Sequence, residues 1–297
     1  MAKIILCEIN ISDGRNPDVL GKVESALRGS AGARVIDIDS EPNHNRSVYT
    51  FIGDPASVLQ AAKNITDKAI EMIDMTTHRG SHPRMGAVDV VPFVPIRDVS
   101  QEEALEIARA YGKYLGAKGV PVYYYEDAAT RPERKLLVDI RKGQYEALPE
   151  KMKDELWRPD EGPFSFNARS GATVAGVRFP LIAYNVNLRT DDMKVGAEIA
   201  KRIRFSSGGL RFVRAIALPI EERGLVQISM NLTNYEKTPI PVVYATVSAI
   251  AETFGVAIAD AELVGPVPLQ ALQDVVRYCL RVRSFDVGQI VESHLLD

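Results

Sequence analysis

Two periodicities alternate along the chain, and their order defines its architecture. Residues 3–8 carry the apolar run Lys3-Ile4-Ile5-Leu6-Cys7 and read as a buried strand, and residues 9–14 turn the chain. Asn16-Pro17 then supplies an N-cap with proline in the first turn, opening a helix that runs to about Arg28. Residues 34–40 alternate with period two, as a half-buried strand does. After the turn Pro42-Asn43-His44-Asn45, residues 47–52 give a third strand. Asp54-Pro55 caps a helix with apolar positions at Val58, Ala61, Ala62, Ile65, Ala69 and Ile73, and the valine-dense residues 88–94 give a fourth strand. Strand, helix, strand, strand, helix, strand is the split βαβ order of a ferredoxin-like unit.

A helix at 101–115, a strand at 120–125 and a short helix at 133–141 follow. Residues 143–170 carry little periodicity and are too long for an idle connection, which marks a functional loop or linker. The earlier order then returns, with strands at 179–188, 210–218, 225–232 and 256–263, helices at 191–203 and 242–254, and a closing helix at 269–280. An asparagine stands near the end of each unit's first strand, Asn10 in one and Asn185 and Asn187 in the other. The expected fold is α+β, an α/β sandwich of two ferredoxin-like βαββαβ subdomains, residues 1–178 and 179–297, with mixed sheets and a cleft between them. Such junctions are preferred places for small-molecule pockets.

The stretch 74–96 holds the densest chemistry. His78 and His82, two of the four histidines, fall within five residues there, beside Arg79, Arg84, Asp74 and Asp89. Gly80, Pro83 and Gly86 keep it out of helix, where glycine costs about 1 kcal/mol and proline about 3. The bland reading, two ordinary polar loop residues, weighs about equally on these residues alone. A spacing of four suits a metal only on a helix face, and no His-Glu-x-x-His or paired-cysteine pattern accompanies it, so no metal is expected. Serine and cysteine nucleophile motifs and a phosphate loop are absent. General acid–base chemistry remains, because an imidazole of ordinary pKa about 6.5 takes and returns a proton near neutrality. His82 is favoured over His78 because Pro83 restricts its backbone and so the direction of its ring. His44 is a weaker candidate, in an Asn-rich turn at the surface, and His294, in the tail, reads as solvated.

Arg46, Arg79, Arg84, Arg169 and Arg178 are candidates for carboxylate recognition, although each alone is more often a surface cation. Trp157, Phe164 and Phe166 offer rings that would stack on a flat heterocycle, whereas Tyr123-Tyr124-Tyr125 reads as strand core. At 297 residues, 46% hydrophobic and 25% charged, the chain has the composition of a globular protein of roughly two domains. A net charge of −3 gives no general attraction to nucleic acid or anionic membrane. Cys7 and Cys279 read as reduced, buried thiols, and neither a secretory signal nor a run of about 20 apolar residues is present, so a cytoplasmic location is expected.

Several longer motifs resemble a known family. His78-Arg79-Gly80-Ser81-His82-Pro83-Arg84-Met85-Gly86-Ala87, with Asp89 and Pro92-Phe93-Val94-Pro95, closely resembles the formiminotransferase domain of formimidoyltransferase-cyclodeaminase. So do Asn45-Arg46-Ser47-Val48-Tyr49-Thr50-Phe51, Tyr145-Glu146-Ala147-Leu148-Pro149, Gly171-Ala172-Thr173 and Leu263-Val264-Gly265-Pro266-Val267-Pro268-Leu269. The likeness runs from Cys7 to about Cys279 and lacks the cyclodeaminase part, as a stand-alone transferase would. The resemblance implies transfer of the formimino group from N-formimidoyl-L-glutamate to N5 of tetrahydrofolate, a step of histidine catabolism and one-carbon metabolism. It implies tetrahydrofolate as co-substrate, a homodimer, and His82 as the catalytic acid and base. Its folate-binding loop falls on Gly162-Pro163-Phe164-Ser165-Phe166-Asn167-Ala168-Arg169-Ser170-Gly171.

Under this reading Arg46, Arg84 and Arg169 hold glutamate carboxylates and Asp39 favours the cationic amidine. The chain departs from the family at Ile9 and Ile11, where the family has Pro and Phe, and at Arg169-Ser170, where it has Ser-Trp. Alternatives are formyl transfer from 5-formyltetrahydrofolate to glutamate, a silent folate-binding protein, and an RNA-binding ferredoxin-like module. Net charge and the lack of a basic, aromatic sheet motif count against the last.

Overall fold

The computed structural model describes residues 3–295, and the side chain of His294 lies outside the described ones. The chain divides into two compact units, 1–178 and 179–297.

In the first unit, β1 (Ile4–Ile11), α1 (Pro17–Arg28), β2 (Ala33–Glu41), β3 (Arg46–Gly53), α2 (Pro55–Met72) and β4 (Val90–Arg97) form the ferredoxin-like core. Its strands lie in the order β2-β3-β1-β4, all antiparallel. The helix starts follow from local chemistry. Asn16 accepts from the Asp18 amide ahead of α1, and Asp54 accepts from the Ala56 and Ser57 amides at 3.0 Å, each cap followed by proline. A capping box of Ser100 and Glu103 opens α3 (Gln101–Ala117).

β5 (Val122–Glu126), α4 (Leu137–Arg141), α5 (Gln144–Lys151) and β6 (Thr173–Val177) complete the unit, with β6 inserted in parallel between β4 and β5. The six-stranded sheet is therefore mixed. One face packs Ile5, Cys7, Tyr49, Phe51 and Phe93 against the apolar stripes of α1, α2 and α3. On the opposite face Val90, Tyr123, Tyr125 and Val174 pack against Ile140 of α4 and Leu148 of α5.

Two elements run against the sequence reading. The stretch 143–170 contains α5 and a single 3₁₀ turn (Glu155–Trp157), and β6 follows it unannounced. α5 buries only Leu148 and carries Pro149, so packing rather than propensity holds it. All five residues of β6 are buried, so it shows none of the alternation that betrays a half-buried strand. For the same reason all three tyrosines of β5 are buried.

The second unit comprises β7 (Ile182–Leu188), α6 (Met193–Ile203), β8 (Val213–Ile220), β9 (Leu225–Leu232), α7 (Ile240–Thr253), β10 (Ile258–Val264) and α8 (Leu269–Leu280). Its sheet, ordered β10-β7-β9-β8, is antiparallel throughout and has its own apolar core. The ferredoxin-like core of the first unit, β1 to β4, shares its topology with the second unit but differs at one joint. The connection from second helix to fourth strand is residues 73–89 in the first unit and only 254–257 in the second. The sequence reading also errs on Cys279. Cys7 is buried, but Cys279 is exposed, because the inward side of α8 is made by Ala271, Gln273 and Val275.

The second face of the first sheet is locked by an ion pair. Arg134 is 3% exposed and donates to Asp160 Oδ2 at 2.9 Å and to the Leu156 and Arg158 carbonyls, while Asp160 also accepts from the Tyr124 amide at 2.8 Å. Removing one partner of such a pair strands a buried charge. Arg134→Met is therefore expected to destabilise the protein by about 3–5 kcal/mol. Urea unfolding checks this, and an unchanged midpoint would refute it.

Candidate active site

The seventeen-residue connection between α2 and β4 carries both histidines. Its second half is an extended segment held on both sides. Ser12 donates from its amide to Ala87 O at 2.9 Å and from its hydroxyl to Gly86 O at 2.7 Å. On the other side Ala87 N donates to Ser170 O, Ala172 N to Met85 O and Val174 N to Asp89 O, at 2.8–3.0 Å. The segment thus lies between the end of β1 and the start of β6. Gly86 is required there, since a Cβ would come within 2.5 Å of the Ser170 and Ala172 carbonyls.

The first half of the connection lies against the β2–β3 turn. Asn45 donates to Arg79 O at 3.0 Å, and a Cβ on Gly80 would stand 2.2 Å from His44 O. The sequence reading took Gly80 as a helix breaker; its further task is this close approach.

The structure separates the two imidazoles. His78 is buried and fully engaged: its Nε2 donates to Asn45 O at 3.0 Å and its Nδ1 accepts from Arg84 Nε at 3.2 Å. Arginine can only donate, so the His78 proton is fixed on Nε2. Burial lowers its pKa, and the ring serves as a neutral strut.

His82 is half-buried, and its Nδ1 has no hydrogen-bond partner among the described residues. Its pKa is pushed down to about 4, first by burial, then by the Arg46 and Arg141 cations, with the Pro83 carbonyl acting the other way. At pH 7 the ring is neutral, and its unpartnered Nδ1 is buried. His44, paired with Glu41 at 3.2 Å, meets it edge-on with ring centroids 5.7 Å apart.

Ser12, His44, Asn45, Arg46, His78, Arg84 and Asp89 line a tight recess around His82 that leaves no space for a water-sized sphere. A hollow of about 230 Å³, lined by Arg131, Arg134, Leu156 and Trp157, contains no histidine.

The other candidate residues divide. Arg46 is half-buried, and its Nε donates at 2.9 Å to the amide oxygen of Asn10, whose own Nδ2 is tied to Glu8 O. Arg84 is buried and spent within the protein. Its Nη1 and Nη2 clasp Glu146 at 2.9 and 2.6 Å, and Nη1 also reaches Gln144. Asp39 is exposed on the edge strand β2, opposite Val48, and outside the recess. Asp89, by contrast, is 1% exposed and lines it, with Oδ1 accepting from Met85 N at 2.8 Å and Oδ2 from Arg141 Nη2 at 2.5 Å. Arg178 pairs with Glu8.

Residues 162–171 reach the same place from the far side. Asn167 Oδ1 accepts from Ser170 N and its Nδ2 donates to Gly119 O, both at 2.9 Å, while Tyr145 OH donates to Ala168 O at 2.6 Å. Arg169 donates to Glu71 O at the end of α2 and lies 3.7 Å from Asp74. The aromatic rings of the stretch are engaged inside the unit: Phe166 against Tyr145, Trp157 against Tyr123, and Phe164 beneath Arg158. Asn10, Ser12 and Arg141 are the site residues that sequence reading did not place here. Asn10 was visible only as an echo between units, and Arg141 sits in a short helix with no distinguishing motif. Among the described residues no cluster of three or more His, Cys, Asp or Glu is placed to hold a metal, and no helix is long and apolar enough to cross a membrane.

Comparison with known proteins bears on this geometry. Residues 4–178 match the model of the formiminotransferase domain, N-terminal subdomain, and residues 183–294 that of the formiminotransferase domain. The chain is 43% identical to a glutamate formimidoyltransferase of Streptococcus pyogenes serotype M1, with all of both chains covered. It is 46% identical to a protein of the same name from Thermoplasma acidophilum, covering 98% of this chain and 97% of that one. The formimidoyltransferase-cyclodeaminase of Sus scrofa is 39% identical over 96% of this chain, which spans 54% of that protein. With both its units matched and its whole length shared with such relatives, the chain belongs to the formiminotransferase family.

Proposed function

We propose that the protein is a glutamate formimidoyltransferase that moves the formimino group of N-formimidoyl-L-glutamate to N5 of tetrahydrofolate. Two relatives that span the whole chain carry that name. The observation that carries the mechanism is the state of His82: a neutral imidazole, half-buried beside two cations, with one ring nitrogen uncommitted among the described residues.

In this mechanism N5 attacks the amidine carbon, forming the new carbon–nitrogen bond, and gives its proton to His82. The bond from that carbon to the glutamate nitrogen then breaks, and the imidazolium returns the proton to the departing nitrogen. The products are 5-formimidoyltetrahydrofolate and L-glutamate. A resting neutral ring suits this order, since it accepts before it donates. Asp89 is better placed than Asp39 to favour the cationic amidine, because it lines the recess. Arg46 is placed to meet a substrate carboxylate, whereas Arg84, spent on Glu146, positions the loop.

Tetrahydrofolate is the co-substrate in this reading, with residues 162–171 contributing to its binding. Their support is adjacency: Ser170 and Ala172 are hydrogen-bonded to the segment that follows His82. A homodimer is the assembly that the family resemblance implies, and the cytoplasm is the location proposed for it.

His82→Ala is expected to lower kcat by about 10²- to 10⁴-fold with both KM values changed far less. Steady-state assay with N-formimidoyl-L-glutamate measures this, and wild-type turnover at saturation would remove His82 from the acid–base role. The same assay with 5-formyltetrahydrofolate and glutamate is expected to run more slowly, and a faster rate would favour the formyl reaction instead.

The charge around His82 gives a second test. Burial, Arg46 and Arg141 all disfavour the imidazolium, so the folded ring titrates at about 4, below its ordinary range. Arg46→Gln removes one of those cations, and the pKa of His82 is expected to rise. NMR titration of ring-labelled histidine in the free protein reads it directly. An unchanged or lower value would contradict the assigned cause.

A further inference from the structure

Arg141 ends the five-residue helix α4 and turns toward the site. Its Nη2 reaches Asp89 at 2.5 Å, its Nε has no partner among the described residues, and its side chain is 15% exposed. Arg46 is hydrogen-bonded to the neutral amide oxygen of Asn10 rather than to a carboxylate. The two guanidiniums act on each other and on His82, and Asp89 is the carboxylate that most strongly offsets Arg46. Asp39 and Glu8 offset Arg46 after Asp89. Arg141 reaches its carboxylate through one nitrogen and Arg46 is bonded to an amide, whereas a planar guanidinium pairs best with a carboxylate through two parallel bonds.

We infer that Arg141 and Arg46 together seat the α-carboxylate of the N-formimidoyl-L-glutamate donor. This rests on the transferase reading given above. Substrate chemistry selects the carboxylate. The α-carboxylate is attached to the same carbon as the departing nitrogen, so whatever holds it lies next to the group that protonates that nitrogen. The γ-carboxylate is two methylenes further away. The glutamate tail of folate is separated from N5 by the aminobenzoyl unit. Arg84 is already clasped by Glu146 and does not compete.

The test compares the parent donor with analogues carrying a carboxamide in place of the α- or the γ-carboxylate, in wild type, Arg141→Gln and Arg141→Lys. Wild type is expected to lose about 100-fold or more in kcat/KM on the α-amide. In Arg141→Gln the KM for the parent donor rises about tenfold or more and the α-amide penalty shrinks to a few-fold. The γ-amide penalty and the KM for tetrahydrofolate stay within about twofold of wild type. Arg141→Lys keeps a charge opposite Asp89, so it controls for folding, and without the planar fork it gives an intermediate α-amide penalty. A full wild-type α-amide penalty in both variants would overturn the assignment. So would a loss of selectivity confined to the γ-amide, or a selective rise in the KM for tetrahydrofolate. A wild-type protein that moves no formimino group from the parent donor would instead remove the transferase reading, and the assignment with it.

Discussion

One buried carboxylate fixes the geometry of the site. Asp89 spends Oδ1 on the Met85 amide and Oδ2 on Arg141, while its own amide donates to Asn10 O and its carbonyl accepts from Val174 N. β1, β6, α4 and the histidine connection therefore meet at a single residue. A buried carboxylate without partners would be costly, and here both oxygens are hydrogen-bonded. The residues that lead up to Asp89, His82 among them, inherit their positions from that arrangement.

The same connection holds two imidazoles that the protein treats in opposite ways. His78 is given a donor and an acceptor and becomes part of the frame. His82 is given cations and partial burial, which keep it neutral without committing its Nδ1 among the described residues. The difference lies less in the rings than in how their neighbours are spent. Arg84 is held by Glu146 and stiffens the loop, whereas Arg46 is hydrogen-bonded to the amide of Asn10 and Arg141 reaches Asp89 through one nitrogen, beside His82.

Much of this was legible in the sequence because local rules coincide with the fold. Asn16-Pro17 and Asp54-Pro55 announce their helices, and the repeated strand and helix order gives the topology of both units. Gly80, Pro83 and Gly86 identify the irregular connection, and the long motif around His82 points to the family. What escaped notice depends on tertiary packing. β6 is buried on both faces and has no alternation to read, and α5 owes its helix to one buried leucine and the Arg84–Glu146 pair. Arg141 was invisible for a related reason: only folding brings α4 over the sheet face where Asp89 waits. Cys279 misled because an apolar neighbourhood in sequence falls on the outer side of α8.

The two units also show where chemistry has been added to a frame that does not need it. At the joint where the first unit inserts residues 73–89, the second passes from α7 to β10 through residues 254–257 alone. A four-residue link suffices to join the corresponding elements of the second unit. The longer one also sends Ile73, Met75, Met85, Ala87 and Val88 into the apolar cores of the first unit, so a change within it is felt by the scaffold as well as by the histidines it carries.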